Sequence, residues 1–241
     1  FKLMRSFIII LFIFFLIFLT GSLFIIDPLL FYLMMFLAFL IAILCLANYL
    51  GKTKGLIAAL LLIGLPFFLE YLFFMFGLPL FESPLISSLR RIDVSLAINL
   101  NNLFFILTVP LLFITALFFA QKIKLFINIK VYHKTFLIIA SSILIALNFL
   151  AITPENLIYK DALKWLVIAL VVNLLLSVFY RFNVGTPEIY KELPIILFLS
   201  LYGTGALRQM NTFNLVVIFL LAVFYLLILY NEYKIRKISS A

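Results

Sequence analysis

Few side chains in this sequence could do chemistry, and most lack the company that chemistry needs. His133 is the one histidine and Cys45 the one cysteine. Paired histidines for a haem, or three or four ligands for zinc, cannot be assembled from them. His133 stands between Tyr132 and Lys134 in a basic stretch, outside every apolar run, so a Ser–His–acid or Cys–His set within an apolar run also fails. Cys45 lies inside an apolar run and has no partner for an intrachain disulfide. Gly51-Lys52-Thr53 ends like a phosphate-binding loop, but that pattern needs a glycine five residues before its last one, and position 46 is Leu46. A turn is the expected reading. No catalytic constellation, metal site or cofactor is expected in this chain alone.

Other polar residues stand where apolar ones dominate. Glu70 lies inside an apolar run, four residues after Pro66. A carboxylate at membrane depth costs several kcal/mol unless it is paired, solvated or protonated, which makes it a functional-site candidate by default. The competing reading is a hydrogen bond to another helix near the outer interface. Asn173, with Ser141 and Ser142, reads as interhelical hydrogen bonding worth about 1 kcal/mol each. The densest polar group is Thr204, Arg208, Gln209, Asn211, Thr212 and Asn214. Arginine is suited to bidentate contact with phosphate. Gly203 and Gly205 beside it are expected to let the backbone bend or approach closely. A second group, Asn99, Asn101 and Asn102, follows Arg90, Arg91 and Asp93. Arg208, Gln209, Asn211, Thr204, Asn99 and Asn101 are therefore the candidate lipid-binding residues, and Glu70 and Asn173 the candidate intramembrane polar ones. The plainer alternative is that Arg208 snorkels to the surface and the asparagines form a solvated helix entry.

The elements that must position these groups follow from composition. Of 241 residues, 67% are apolar and only 11% charged. A soluble domain has about 25% charged and roughly 45–50% apolar residues, and its core could not hide this much Phe, Leu and Ile. Soluble, disordered and disulfide-scaffold classes are excluded, and an all-α polytopic transmembrane helix bundle is expected. A crossing takes about 20 residues. Apolar runs at 7–26, 29–48, 56–76, 99–120, 136–152, 162–180, 194–210 and 215–230 predict about eight. Residues 51–55, 121–135 and 181–193 read as loops, and 77–98 as a connection that can lie in the interface. The run at 194–210 is either a short crossing with a polar outer end or a re-entrant hairpin.

Charge orients the bundle. With eight crossings, Lys2, Arg5, Lys52, Lys54, Lys122, Lys124, Lys130, Lys134, Arg181, Lys191, Lys234, Arg236 and Lys237 share one side. Arg90, Arg91, Lys160, Lys164 and Arg208 share the other, a split of 13 to 5 among the 18 Lys and Arg. If 194–210 did not cross, the split would be 10 to 8. The positive-inside bias predicts eight crossings with both ends cytoplasmic. The net charge of +9 is thus an orientation signal, and no nucleic acid is expected as a partner.

One stretch resembles a known family. Tyr202-Gly203-Thr204-Gly205, five further residues, then Asn211-Thr212-Phe213 is similar to the aromatic-Gly-Thr-Gly…(Asn/Ser)-Ser-Phe stretch in the membrane domains of GPI ethanolamine-phosphate transferases. The likeness covers about a dozen residues and the apolar run after them. It implies a domain of the endoplasmic reticulum membrane that holds or positions a lipid for a lumenal, alkaline-phosphatase-like catalytic domain, none of which is present here. Without it, a prokaryotic plasma membrane is the expected location. The resemblance also implies more spans than follow the motif here. Residues 1–241 are expected to form a single transmembrane domain, and a start at Phe1 rather than Met fits a piece of a longer chain. The expected partners are a membrane lipid and either a soluble catalytic domain or other membrane subunits. The alternatives are a small secondary transporter with Glu70 as its coupling site, for which repeat symmetry is lacking, and an accessory subunit of a membrane complex.

Overall fold

The structure, a computed structural model, describes residues 2–24, 28–75, 100–127, 133–152, 158–178, 189–208 and 212–239. The described residues form eight α-helices and no strand. They are α1 (Lys2–Phe24), α2 (Pro28–Leu50), α3 (Lys52–Met75), α4 (Leu100–Ile127), α5 (His133–Ile152), α6 (Ile158–Leu176), α7 (Ile189–Arg208) and α8 (Thr212–Ser239). A chain this apolar has few polar side chains to satisfy backbone groups, so each segment closes its own hydrogen bonds in a helix. Among the described residues, three stretches are long and apolar enough to cross a membrane, namely Leu29–Leu50, Lys52–Leu69 and Leu107–Lys124. Ser6–Ser22, Lys134–Leu147, Leu163–Leu176 and Val216–Asn231 are shorter apolar helical stretches.

Helix α4 is the axis of the fold. It packs against α2, α3, α5, α7 and α8, and every residue from 109 to 122 is buried. A helix apolar all round is suited to that central place. Helices α2, α4 and α7 pack on one another in a triangle, and α5 and α6 form a tight hairpin beside it. The outward faces are apolar. Ile10, Phe14 and Ile17 on α1, and Phe219, Leu226 and Tyr230 on α8, are exposed, while Lys122, Gln121, Asn173, Ser141 and Ser142 are buried.

Several expected loops are helix instead. The turn between α2 and α3 is the single residue Gly51, whose φ of 91° suits a glycine, rather than the five residues 51–55. Its carbonyl accepts a 2.7 Å hydrogen bond from the Gly55 amide, which closes the first turn of α3. Residues 121–127 continue α4, because Ile123, Leu125, Phe126 and Ile127 keep the apolar pattern and no Gly or Pro interrupts it. Residues 189–193 open α7, with Pro194 near its start. Helix α7 also runs unbroken through Gly203 and Gly205, so the backbone does not turn there, and among the described residues there is no re-entrant hairpin. A Cβ on Gly203 would lie 4.0 Å from Ile218 Cγ2, an ordinary contact, so α8 packs beside this position without requiring a glycine.

Candidate functional site

The end of the bundle where α2 and α4 finish and α7 begins holds a polar network. Tyr49, in the last turn of α2, is 2% exposed. Its hydroxyl accepts a hydrogen bond from Gln121 Nε2 on α4, and its ring meets the Phe118 ring edge-on at 5.4 Å between centroids. Lys191 of α7 places its Nζ 6.0 Å from the centre of the Tyr49 ring, within reach of a cation–π contact. Beside Gln121, Lys122 is 2% exposed and its Nζ lies 3.4 Å from Glu192 Oε1. One turn or two deeper, the Thr115 hydroxyl donates to the Pro194 carbonyl at 3.1 Å. Three helices distant in sequence are thus joined by one chain of polar contacts.

Burial explains why the contacts are made. An ammonium taken out of water carries a penalty of several kcal/mol, which a carboxylate in hydrogen-bonding range offsets. Glu192 keeps 27% of its side chain exposed, so the pair is sealed on the Lys122 side and open on the other. Asn48, next to Tyr49 and 9% exposed, has an Nδ2 that finds no hydrogen-bond acceptor among the described residues.

The α5–α6 hairpin holds a second polar contact. Asn173 Nδ2 donates to Ser142 Oγ at 3.0 Å, and both side chains are buried. Ser141 and Ser142 each also donate to the carbonyl one turn back, at 2.5 Å to Leu137 and 2.6 Å to Ile138. Lys164, near the start of the run at 162–180 and counted with the outer charges, lies within α6 at 4% exposure, with Nζ 5.8 Å from the centre of the Trp165 ring. Among the described residues no three His, Cys, Asp or Glu side chains gather as metal ligands.

Of the candidate lipid-binding residues, Thr204 and Arg208 lie toward the end of α7 and Asn101 at the start of α4. Thr204 is buried in α7 and its hydroxyl donates to the Ser200 carbonyl at 2.7 Å, so it is bonded to its own helix. Arg208 is the last residue of α7, Asn101 and Asn102 lie in the first turn of α4, and Thr212 and Asn214 lie in the first turn of α8. Their side chains, and that of Glu70 on α3, are outside the described residues, as are Gln209, Asn211 and Asn99 altogether. Helix direction still places the two groups. The Lys122–Glu192 contact pairs the end of α4 with the start of α7, so the start of α4 and the end of α7 share the other end. At 1.5 Å per residue, Asn101 is about 32 Å along α4 from Lys122, and Arg208 about 24 Å along α7 from Glu192. The two levels differ by roughly 8 Å on that arithmetic.

In the sequence, Gln121, Lys122, Lys191 and Glu192 read only as polar loop residues. The signal for Gln121 and Lys122 was the unbroken helical composition after Ala120; for Tyr49 there was none. No protein-family model, curated protein or solved structure matches this chain.

Proposed function

We propose that the chain is a multi-pass integral membrane protein with eight crossings and both ends cytoplasmic, whose outer end handles a phospholipid head group. The observation that carries the membrane reading is the inverted polarity of the bundle. Large apolar residues such as Phe14, Ile17, Phe219 and Leu226 face outward, and Lys122, Gln121 and Asn173 are buried. In water that arrangement exposes apolar surface and desolvates charge; in lipid it does neither at comparable cost. The topology rests on the 13-to-5 distribution of Lys and Arg. It is supported by the meeting of the α2, α4 and α7 ends, which that distribution assigns to one side.

The lipid-handling part rests on Arg208 and the asparagines at the opposite end. The likeness of residues 202–213 to the transferase membrane domains supports a finer reading, in which the bundle presents a lipid to a separate catalytic domain. Two measurements test the proposal. In a Cys45→Ala background, a membrane-impermeant thiol reagent applied from outside should label Lys160→Cys and spare Lys237→Cys. Labelling at 237 refutes the eight-crossing topology. Native mass spectrometry of the purified protein should show phospholipid that survives detergent exchange. A protein that carries none has no lipid site.

A further inference from the structure

We infer that the end of the bundle formed by α2, α4 and α7 is a second lipid site, which takes the phosphate of an anionic phospholipid. The assignment to the cytoplasmic leaflet rests on the topology proposed above; the site itself rests on the network described here.

Charge is the first support. Among the described residues, the helix ends that meet here carry Lys52, Lys54, Lys122, Lys124, Lys134 and Lys191, against Glu192. Basic pockets between spanning helices are the sites where acidic head groups dock, because the phosphate meets cations in a medium of low dielectric. Geometry is the second. Lys122 is sealed inside the bundle with Glu192, and Lys191, half-buried, stands over the Tyr49 ring. The ring, held by Gln121 and Phe118, fixes one wall of the junction. Tyrosine and lysine side by side at a helix end are the amphipathic pair expected where acyl chains give way to head groups. The third support is Asn48, a nine-tenths buried amide at the same end whose Nδ2 has no acceptor among the described residues. A buried donor of this kind needs an acceptor, and a phosphate oxygen provides one.

The same chemistry defines selectivity. A phosphatidylglycerol head group brings one uncompensated negative charge to the lysines. Phosphatidylcholine brings its own ammonium, which the lysine excess repels. Discrimination between the two is therefore expected. A network that serves only to join helices would show none.

The test uses the full chain in detergent, incubated with equimolar phosphatidylglycerol and phosphatidylcholine and read by native mass spectrometry. Wild type is expected to retain phosphatidylglycerol at least tenfold over phosphatidylcholine. Lys191→Ala and Asn48→Ala should each lower that preference several-fold, and Gly64→Ala, in α3 with open space for its Cβ, should keep it. Thermal melting in detergent shows whether each variant is folded, and two independent variants keep the test decisive if one is not. Equal retention of the two lipids by wild type, or an unchanged preference in both folded variants, overturns the inference. A parallel melt with millimolar inorganic phosphate separates the sources. Stabilisation of wild type but not of Lys191→Ala shows that the phosphate group alone is recognised. A lipid preference without that response shows that the intact head group is. Either result supports the site. Because the binding is read in detergent, a failed topology at Lys237 leaves this result standing, and a failed lipid preference leaves the topology standing.

Discussion

Gly55 on α3 lies so close to Ala47 on α2 that a Cβ on Gly55 would overlap the Ala47 Cα. That contact, one turn from Gly51, sets the spacing of the α2–α3 hairpin. It converts to a contrast between two glycines of one helix. Gly64 has open space where a Cβ would go. Gly64→Ala is expected to stabilise by about 0.5–1 kcal/mol, the helical preference of Ala over Gly. Gly55→Ala gains the same preference but meets backbone that cannot rotate away, so a net loss of about 1–2 kcal/mol is expected. Thermal melting of both variants in one detergent checks the pair. Equal effects of the same sign would show that the helices are not held at this distance.

The Lys122–Glu192 contact has a less obvious consequence. Removing one member should cost more than removing both. Glu192→Gln leaves a buried ammonium with a weaker partner, and a loss of about 2–3 kcal/mol is expected, at the low end of buried pairs because Glu192 is partly exposed. The double variant Lys122→Met with Glu192→Gln should recover at least half of that. If the double variant is as unstable as the sum of the singles, the two groups do not act as a pair.

These residues also show where sequence reasoning stops. The all-helical class follows from bulk composition, since apolar runs of this length close their backbone hydrogen bonds as helices. Helix limits were harder. Lys122 and Lys124 read as the start of a loop because charge normally marks the end of a crossing. The structure continues the helix through 121–127 on its unbroken apolar pattern, and Lys122 is buried there against Glu192, 70 positions away, a pairing that no local pattern contains. The same holds for Tyr49, whose role depends on Gln121 and Lys191. Gly203 and Gly205 misled in the other direction. Their freedom to turn is real, but α8 packs beside Gly203 and the helix continues. What remained legible was side: Lys and Arg counts alone grouped Lys52, Lys122 and Lys191 together.

Asn173 and Ser142 join α5 to α6 through a buried side-chain hydrogen bond. Interhelical polar contacts in a bilayer average about 0.6 kcal/mol in coupling. A double-mutant cycle of Asn173→Ala and Ser142→Ala is expected to give a coupling of about 0.5–1 kcal/mol, with Asn173→Ala the more damaging single change. Ser142 keeps a second bond, to the Ile138 carbonyl, which spreads its contribution within α5. Additive singles would show that the amide draws its stabilisation from elsewhere in the hairpin.

Arg208 closes α7 at the end where α4 begins, with Asn101 and Asn102 in the first turn of α4. A guanidinium at this level has two ways to be satisfied, and they differ in what they hold. Snorkelling into water requires nothing else and would leave no ligand. Binding a phosphate uses the planar donor pair of the guanidinium and gives the neighbouring amides an acceptor. The lipid-handling proposal requires the second. Arg208→Ala is expected to lose one retained phospholipid by native mass spectrometry, and Arg208→Lys to recover it only in part, because an ammonium is a point charge and not a fork. Asn101→Ala should weaken retention less, since one amide contributes a single bond. Thermal stability in lipid-free detergent should change little in all three variants, which separates a binding role from a packing one. If Arg208→Ala keeps its full complement of lipid, the arginine is a surface residue and the outer end holds no head-group site.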